Sequence, residues 1–265
     1  MSGFLGRMAF KHSPRASPGA DAVVNDLRIA PKRRTERMQR DRMAGRILFD
    51  FDGTLVDSFE CAVAAFQRVG PAFGCPMLSR EELEPLRERH ALEIMHTLRV
   101  PPYRLPQLAA RMRREMREDL LNTAPVAGMA DTLEALLRRG DRLGIISSNA
   151  RSNVRDYVRR HRLPGLQDVI GGTGLFGKAR ILRAVARRAG VRPERMLYVG
   201  DELRDLEAAR AAGVRFAAVA WGYTPLARLA AAGAEFQCQR PRDLLACRDR
   251  LAHGIEGEDS ELSPG

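Results

Sequence analysis

Apolar residues gather in short runs along this chain, and the spacing of those runs predicts its architecture. The segments "RILFD" (46–50), "RLGIIS" (142–147), "QDVIGG" (167–172), "RMLYVGD" (195–201) and "RFAAVAW" (215–221) each predict a strand. The last four are flanked by patterns of helical period. Leu133, Leu136 and Leu137 share one face, as do Ile181, Leu182 and Val185, and again Leu206, Ala209 and Ala212. Strands alternating with helices at this spacing imply βαβ units and a buried parallel sheet, an α/β fold. Residues 59–122 break the rhythm. No β-rich run occurs there, and "QLAARMRREMREDLL" places Leu108, Met112, Met116 and Leu120 on one helical stripe. The expected organisation is therefore an α/β core of residues 45–58 and 123–251, with a helical cap (59–122) inserted after the first strand.

Composition narrows the class. The chain has 265 residues, 45% hydrophobic and 29% charged, in the ordinary range for a globular protein. No apolar run approaches the roughly 20 residues of a membrane span. Four cysteines without a C-x-x-C pair and five histidines without ligand spacing point to reduced structural thiols, a cytoplasmic protein and no zinc site. The net charge is +11, but residues 1–44 alone carry ten Lys/Arg against four Asp/Glu. That Pro-, Ser- and Arg-rich segment has no sustained apolar period and reads as a disordered basic arm. Three readings of the arm stand: an extension upstream of a working start at Met38 or Met43, an Arg-rich transit peptide, or a nucleic-acid-binding arm. The last is disfavoured because no aromatic residue interleaves the charge run to stack on bases. Residues 252–265 form an acidic tail.

The chemistry lies where the predicted strands end, since ligands of parallel α/β sheets bind beyond the carboxyl ends of the strands. The first run ends at Asp50 and Asp52, the second at Ser147, Ser148 and Asn149, and the fourth at Asp201 with Asp205 four residues on. The third leads through "GGTGLFGK" to Lys178 at the start of a helix. Taken singly, each has a structural explanation as a turn former, a helix cap or a solvated lysine. Taken together, carboxylates, hydroxyls and a lysine converge on one site for an anion and a metal. The glycine-rich segment also matches the P-loop spacing, but Ala179 stands where a P-loop needs Ser or Thr for magnesium. A dinucleotide fingerprint would belong to the first βα unit, not the third.

The ordered segments "DFDGTLVDS", "IISSN", "FGK" and "GDELRD" resemble the four motifs of the haloacid dehalogenase superfamily. Within it they are most similar to the phosphoglycolate phosphatase-like branch, whose helical cap follows the first motif; "AVAWGY" (218–223) adds a weaker likeness. The resemblance covers about residues 46–250. It implies a Rossmann-like sheet with a mobile cap, Mg²⁺ as cofactor, and hydrolysis of a small phosphorylated metabolite. It assigns Asp50 as nucleophile and Asp52 as general acid and base. It also assigns Asp50, Asp201 and the Asp52 backbone carbonyl as metal ligands, with Asp205 supporting them from behind. Ser147, the backbone around Ser148 and Asn149, and Lys178 would hold the phosphoryl oxygens, and Glu202 has no direct role.

The spacing is consistent with that chemistry. A phosphate monoester hydrolyses very slowly without a placed nucleophile and charge neutralisation, and two carboxylates one residue apart at a strand end can both reach one phosphate. Asp52 argues against dehalogenase and phosphonatase activities, whose members lack an aspartate at that position. A phosphoglucomutase-type transferase and a non-catalytic module with a nucleic-acid-binding arm are the alternatives. Arg87, Arg89, His90 and Arg104 in the cap are candidate contacts for the leaving group. Monomer and homodimer both fit.

Overall fold

The computed structural model describes residues 45–88, 96–166, 168–174 and 177–251. The basic arm, the acidic tail, Arg89 and His90 lie outside the described residues. The core is one sheet of six parallel strands in the order 3-2-1-4-5-6. Its strands are β1 (Arg46–Phe49), β2 (Arg142–Ile146), β3 (Asp168–Ile170), β4 (Met196–Gly200), β5 (Arg215–Val219) and β6 (Phe236–Cys238). The five apolar runs thus all form strands, each a residue or more shorter than its run. The sixth strand is an addition to the sequence pattern. Its signal is brief: Phe236 and Cys238 are buried and Gln237 between them is exposed, the alternation of a short edge strand.

Helices cover both faces of the sheet. On one side α5 (Met129–Arg138) and α6 (Arg151–Arg160) pack with Ile47, Phe49, Ile145 and Val199. On the other, α7 (Lys178–Ala189), α8 (Leu203–Ala212) and α9 (Leu226–Ala231) pack with Leu48, Ile146, Tyr198 and Phe216. A central strand covered on both faces is apolar through its interior, which is why Ile47, Leu48 and Phe49 are all buried; Arg46, at the start of the strand, is buried with them. The three helical stripes read from sequence face this core, with Leu137 only partly buried.

Between β1 and β2 the chain forms α1 (Phe59–Val69), α2 (Arg80–Leu83), α3 (Leu105–Glu115) and α4 (Arg117–Asn122). Phe59, Phe66, Val69, Leu83, Leu98 and Leu108 build an apolar cluster of this region's own. The stripe predicted over residues 108–120 is split between α3 and α4 at Met116, although the 116→112 and 120→116 backbone bonds persist. Leu108 packs in the cap cluster, whereas Met116 and Leu120 pack in the main core. One stripe thus ties the cap to the sheet.

The sheet order sets the position of the crevice. From β1 the chain winds outward through β2 and β3, then returns to β4 on the other side of β1. The carboxyl ends of β1 and β4 therefore meet at the topological switch point, where an open α/β sheet binds its ligand.

Phe51 separates the two aspartates at the end of β1 and turns away from both, fully buried and edge-on to Tyr157 with ring centroids 5.0 Å apart. We expect Phe51→Ala to cost about 3–5 kcal/mol and to lower Tm by roughly 10 °C, with Phe51→Leu much milder. Thermal denaturation of the two variants checks this.

Candidate active site

The site begins where β1 stops. The Asp50 N–H donates to the Val199 carbonyl at 2.8 Å and prolongs the β1–β4 ladder by one residue. The Phe51 carbonyl then accepts from the N–H groups of Thr54, Leu55 and Val56, folding the chain into a tight turn. Gly53 makes that turn with φ of 75°, and a Cβ there would lie 2.1 Å from Asp201 Oδ2. Only glycine satisfies both demands. Because Phe51 faces inward, Asp50 and Asp52 emerge towards the crevice.

Asp201 enters from the end of β4 and is fully buried. Thr54 Oγ1 donates to its Oδ1 at 2.7 Å and the Tyr223 N–H to its Oδ2 at 2.8 Å. The loop after β5 encloses it. Trp221 Nε1 donates to the Thr54 carbonyl at 3.0 Å, and Gly222 lies so close that a Cβ would sit 2.0 Å from Asp201 Cβ. The Tyr223 hydroxyl shares a 2.8 Å hydrogen bond with Ser58 Oγ at the start of the cap.

Lys178, the first residue of α7, is only 2% exposed. Its Nζ donates to Asp50 Oδ2 and to Asp205 Oδ1, both at 2.6 Å. Asp205 also accepts the Glu202 N–H at 3.3 Å and closes the N-terminus of α8. Asp50, Asp201 and Asp205 bring carboxylate oxygens within 4.8 Å of one another. Burial pushes the Asp50 carboxyl up to about 7 against the opposing pull of Lys178, and pushes Asp201 well above the usual carboxylate range. At Asp205 burial is outweighed by Lys178 and Arg204, which hold it below that range. Arg204 is itself ion-paired to Glu202.

Three buried carboxylates thus face one buried ammonium. Asp205 is taken up by Lys178 and the helix end, so the oxygens of Asp50 and Asp201 face the remaining excess of negative charge. An all-oxygen, carboxylate-rich donor set of this kind fits a hard divalent cation, and a cation there would return both groups to their ionised forms.

Asp52 sits apart from this cluster and is half-buried. Asn149 Nδ2 donates to its Oδ2 at 3.1 Å. Burial raises its pKa, opposed by hydrogen bonds from Asn149 and Ser58. The sequence expectation gives phosphate the backbone around Asn149, and the Asn149 side-chain amide bonds within the protein: Nδ2 to Asp52, and Oδ1 to the Ala150 N–H at 2.8 Å and Asn153 Nδ2 at 3.2 Å. The Asn149 N–H donates to Ser147 Oγ at 2.9 Å, which leaves the Ser147 hydroxyl proton for a ligand. Ser148 is half-buried at the same strand end.

Of the cap candidates, Arg104 is exposed, and the described side chains do not include that of Arg87. The cap arginine that does feel the charge of Asp52 is Arg113, on the last turn of α3, whose pKa burial depresses. Sequence reading passes over Arg113 because it is one of several arginines on an amphipathic helix. It also passes over Thr54, Ser58, Asn153 and Tyr223. Thr54 and Ser58 sit inside the quoted motif and Tyr223 closes "AVAWGY", two residues past the fifth run, so attention to neutral donors beside the carboxylates would find them.

Comparison with known proteins agrees with this arrangement. Residues 47–219 match the family described as haloacid dehalogenase-like hydrolase. A phosphoglycolate phosphatase of Synechococcus elongatus is 36% identical over 206 residues, spanning 77% of this chain and 97% of that protein. Phosphoglycolate phosphatase 1 of Pseudomonas aeruginosa is 31% identical over 236 residues, spanning 84% and 86%. A crystal structure of a putative phosphoglycolate phosphatase from Lactobacillus plantarum shares the fold, with a TM-score of 0.66 over 77% of this chain and 99% of that one, at 22% identity. With its motifs at the carboxyl ends of a parallel sheet, the chain belongs to the haloacid dehalogenase-like hydrolase family.

Proposed function

We propose that the protein is a Mg²⁺-dependent phosphatase that hydrolyses a small phosphate monoester resembling phosphoglycolate, through an aspartyl-phosphate on Asp50. The observation that carries this reading is the crevice between β1 and β4, where Lys178 links Asp50 to Asp205 while Asp201 closes the other side. The name of the 36%-identical relative supports the choice of substrate.

Asp50 attacks phosphorus and forms the acyl-phosphate bond as the bond to the leaving oxygen breaks. Attack requires the ionised carboxylate, and Lys178 at 2.6 Å favours that form against the effect of burial. Asp52 gives its proton to the leaving oxygen. Its raised pKa keeps more of the protonated acid at neutral pH than a solvated aspartate would. The resulting Asp52 carboxylate then removes a proton from water, which attacks phosphorus and releases Asp50. Ser147, Lys178 and the backbone around Ser148 hold the phosphoryl oxygens as charge builds on them. Asp50, Asp201 and the Asp52 carbonyl would hold Mg²⁺, which when bound supplies positive charge to the phosphoryl oxygens. Arg113, a cap residue on which the charge of Asp52 bears, would meet an anionic group on the leaving fragment.

Acid-quenched labelling with a phosphate-labelled substrate tests the nucleophile. Label should be trapped on the wild type and be absent from Asp50→Asn, whose turnover should fall below detection; label retained on that variant would place the nucleophile elsewhere. Exhaustive EDTA treatment should abolish hydrolysis and Mg²⁺ should restore it, whereas full activity of the metal-free protein would exclude the proposed ligand set. Arg113→Ala should raise KM for phosphoglycolate by about tenfold or more, as expected for a lost charge-assisted contact. For p-nitrophenyl phosphate, which lacks a carboxylate, the change in KM should be small.

A further inference from the structure

We propose that Asn153 is a positioning residue that couples the seating of the cap to the aim of the general acid Asp52; the proposal rests on the phosphatase reading above. The support is a continuous set of hydrogen bonds whose direction is fixed by backbone groups. The Ala150 N–H can only donate, and it lies 2.8 Å from one end of the Asn149 amide. That end is therefore the carbonyl, and the NH₂ end faces Asp52 Oδ2 at 3.1 Å. Asn153 must then present its own NH₂ to Asn149 Oδ1, 3.2 Å away. The same nitrogen is 3.4 Å from the backbone carbonyl of Arg113.

An amide nitrogen carries two hydrogens, and here one is directed at Asn149 and the other at the cap. Asn153 stands in the first turn of α6, part of the core, whereas Arg113 stands in the last turn of α3, part of the cap. The chain Asp52–Asn149–Asn153–Arg113 thus crosses from the reacting proton to the helix that covers it. With α3 seated, Asn153 is held from both sides and keeps the Asn149 amide turned to Asp52. If α3 lifts, Asn153 loses one acceptor and Asn149 one lateral restraint, and the Asp52 carboxyl is freer to rotate away from the leaving oxygen. Proton delivery then follows cap closure. Because the cap offers a backbone carbonyl, this link is independent of the Arg113 side chain and of its proposed contact with substrate.

The test uses the full-length protein with Mg²⁺ and compares kcat/KM for an alkyl phosphate (phosphoglycolate, or the best alkyl ester found) with that for p-nitrophenyl phosphate, whose leaving group needs little protonation. For Asn153→Ala we expect the alkyl value to fall about tenfold, a fraction of the about 10²–10⁴-fold a placed acid supplies. The p-nitrophenyl value should fall less than about threefold by the same reasoning. Asn153→Asp keeps shape but removes both donor hydrogens, so it should be at least as impaired on the alkyl ester; recovery in that variant would mean that Asn153 only fills space and would overturn the proposal. In an Asp52→Asn background, adding Asn153→Ala should cause no further loss, since residues acting through one group are not additive. Equal losses on both substrates, no loss on either, or an additional loss in the Asp52→Asn background would each overturn it. A wild-type protein inert towards both substrates would instead overturn the phosphatase reading and the proposal with it.

Discussion

The Lys178 ammonium, 2.6 Å from both Asp50 and Asp205, is the interaction on which the rest of the crevice depends. Carboxylates gathered in a buried space repel one another and resist ionisation, and removing them from water adds to the cost. Lys178 reduces both penalties, and it reaches both carboxylates only if α7 begins where it does, directly after the glycine-rich segment. Breaking such a pair would leave an uncompensated buried charge, so the lysine is as much a condition of the folded crevice as a contributor to its chemistry. What it cannot do alone is neutralise Asp201 as well, and that residual negative charge suits the pocket to a cation.

Around this centre the sheet performs a simple service. Parallel strands in adjacent positions deliver their carboxyl ends to one edge, so residues far apart in the chain become neighbours without any long loop. Thr54 and Asp201 are hydrogen-bonded across 147 positions of sequence, and Lys178 and Asp50 across 128. The loop carrying Trp221, Gly222 and Tyr223 then packs against Asp201 and Thr54. Its tyrosine reaches Ser58, where the cap leaves the core, so Asp201 and the start of the cap share one set of contacts.

Asp52 shows the opposite design. A single residue separates it from Asp50, yet it is half-buried, outside the lysine's direct reach, and held by a neutral amide. Burial raises the pKa of both carboxyls, but Lys178 opposes it at Asp50 and Asn149 opposes it at Asp52, so two positions one residue apart meet different surroundings. Phe51 makes the separation possible by anchoring the intervening position in the core.

The strand positions, the alternation that implies a parallel sheet, the helical insertion and the order of the polar strand ends are periodic or local properties, and local properties are legible in the sequence alone. The convergence of Asp50, Lys178, Asp201 and Asp205 follows from one topological rule, that parallel strands share a carboxyl edge. Partner choice does not follow from it. Asp205 binds Lys178 and the end of α8, and the Asn149 side chain is turned to Asp52. The contact of Asn153 with the Arg113 carbonyl likewise depends on how the cap seats on the core. The sixth strand escapes the pattern because its two buried residues, Phe236 and Cys238, are split by the exposed Gln237 and form no apolar run. Spacing along a chain determines which face or edge a residue reaches; which of several neighbours it then bonds is decided by rotamers and packing between distant segments, and those exist only in the folded protein.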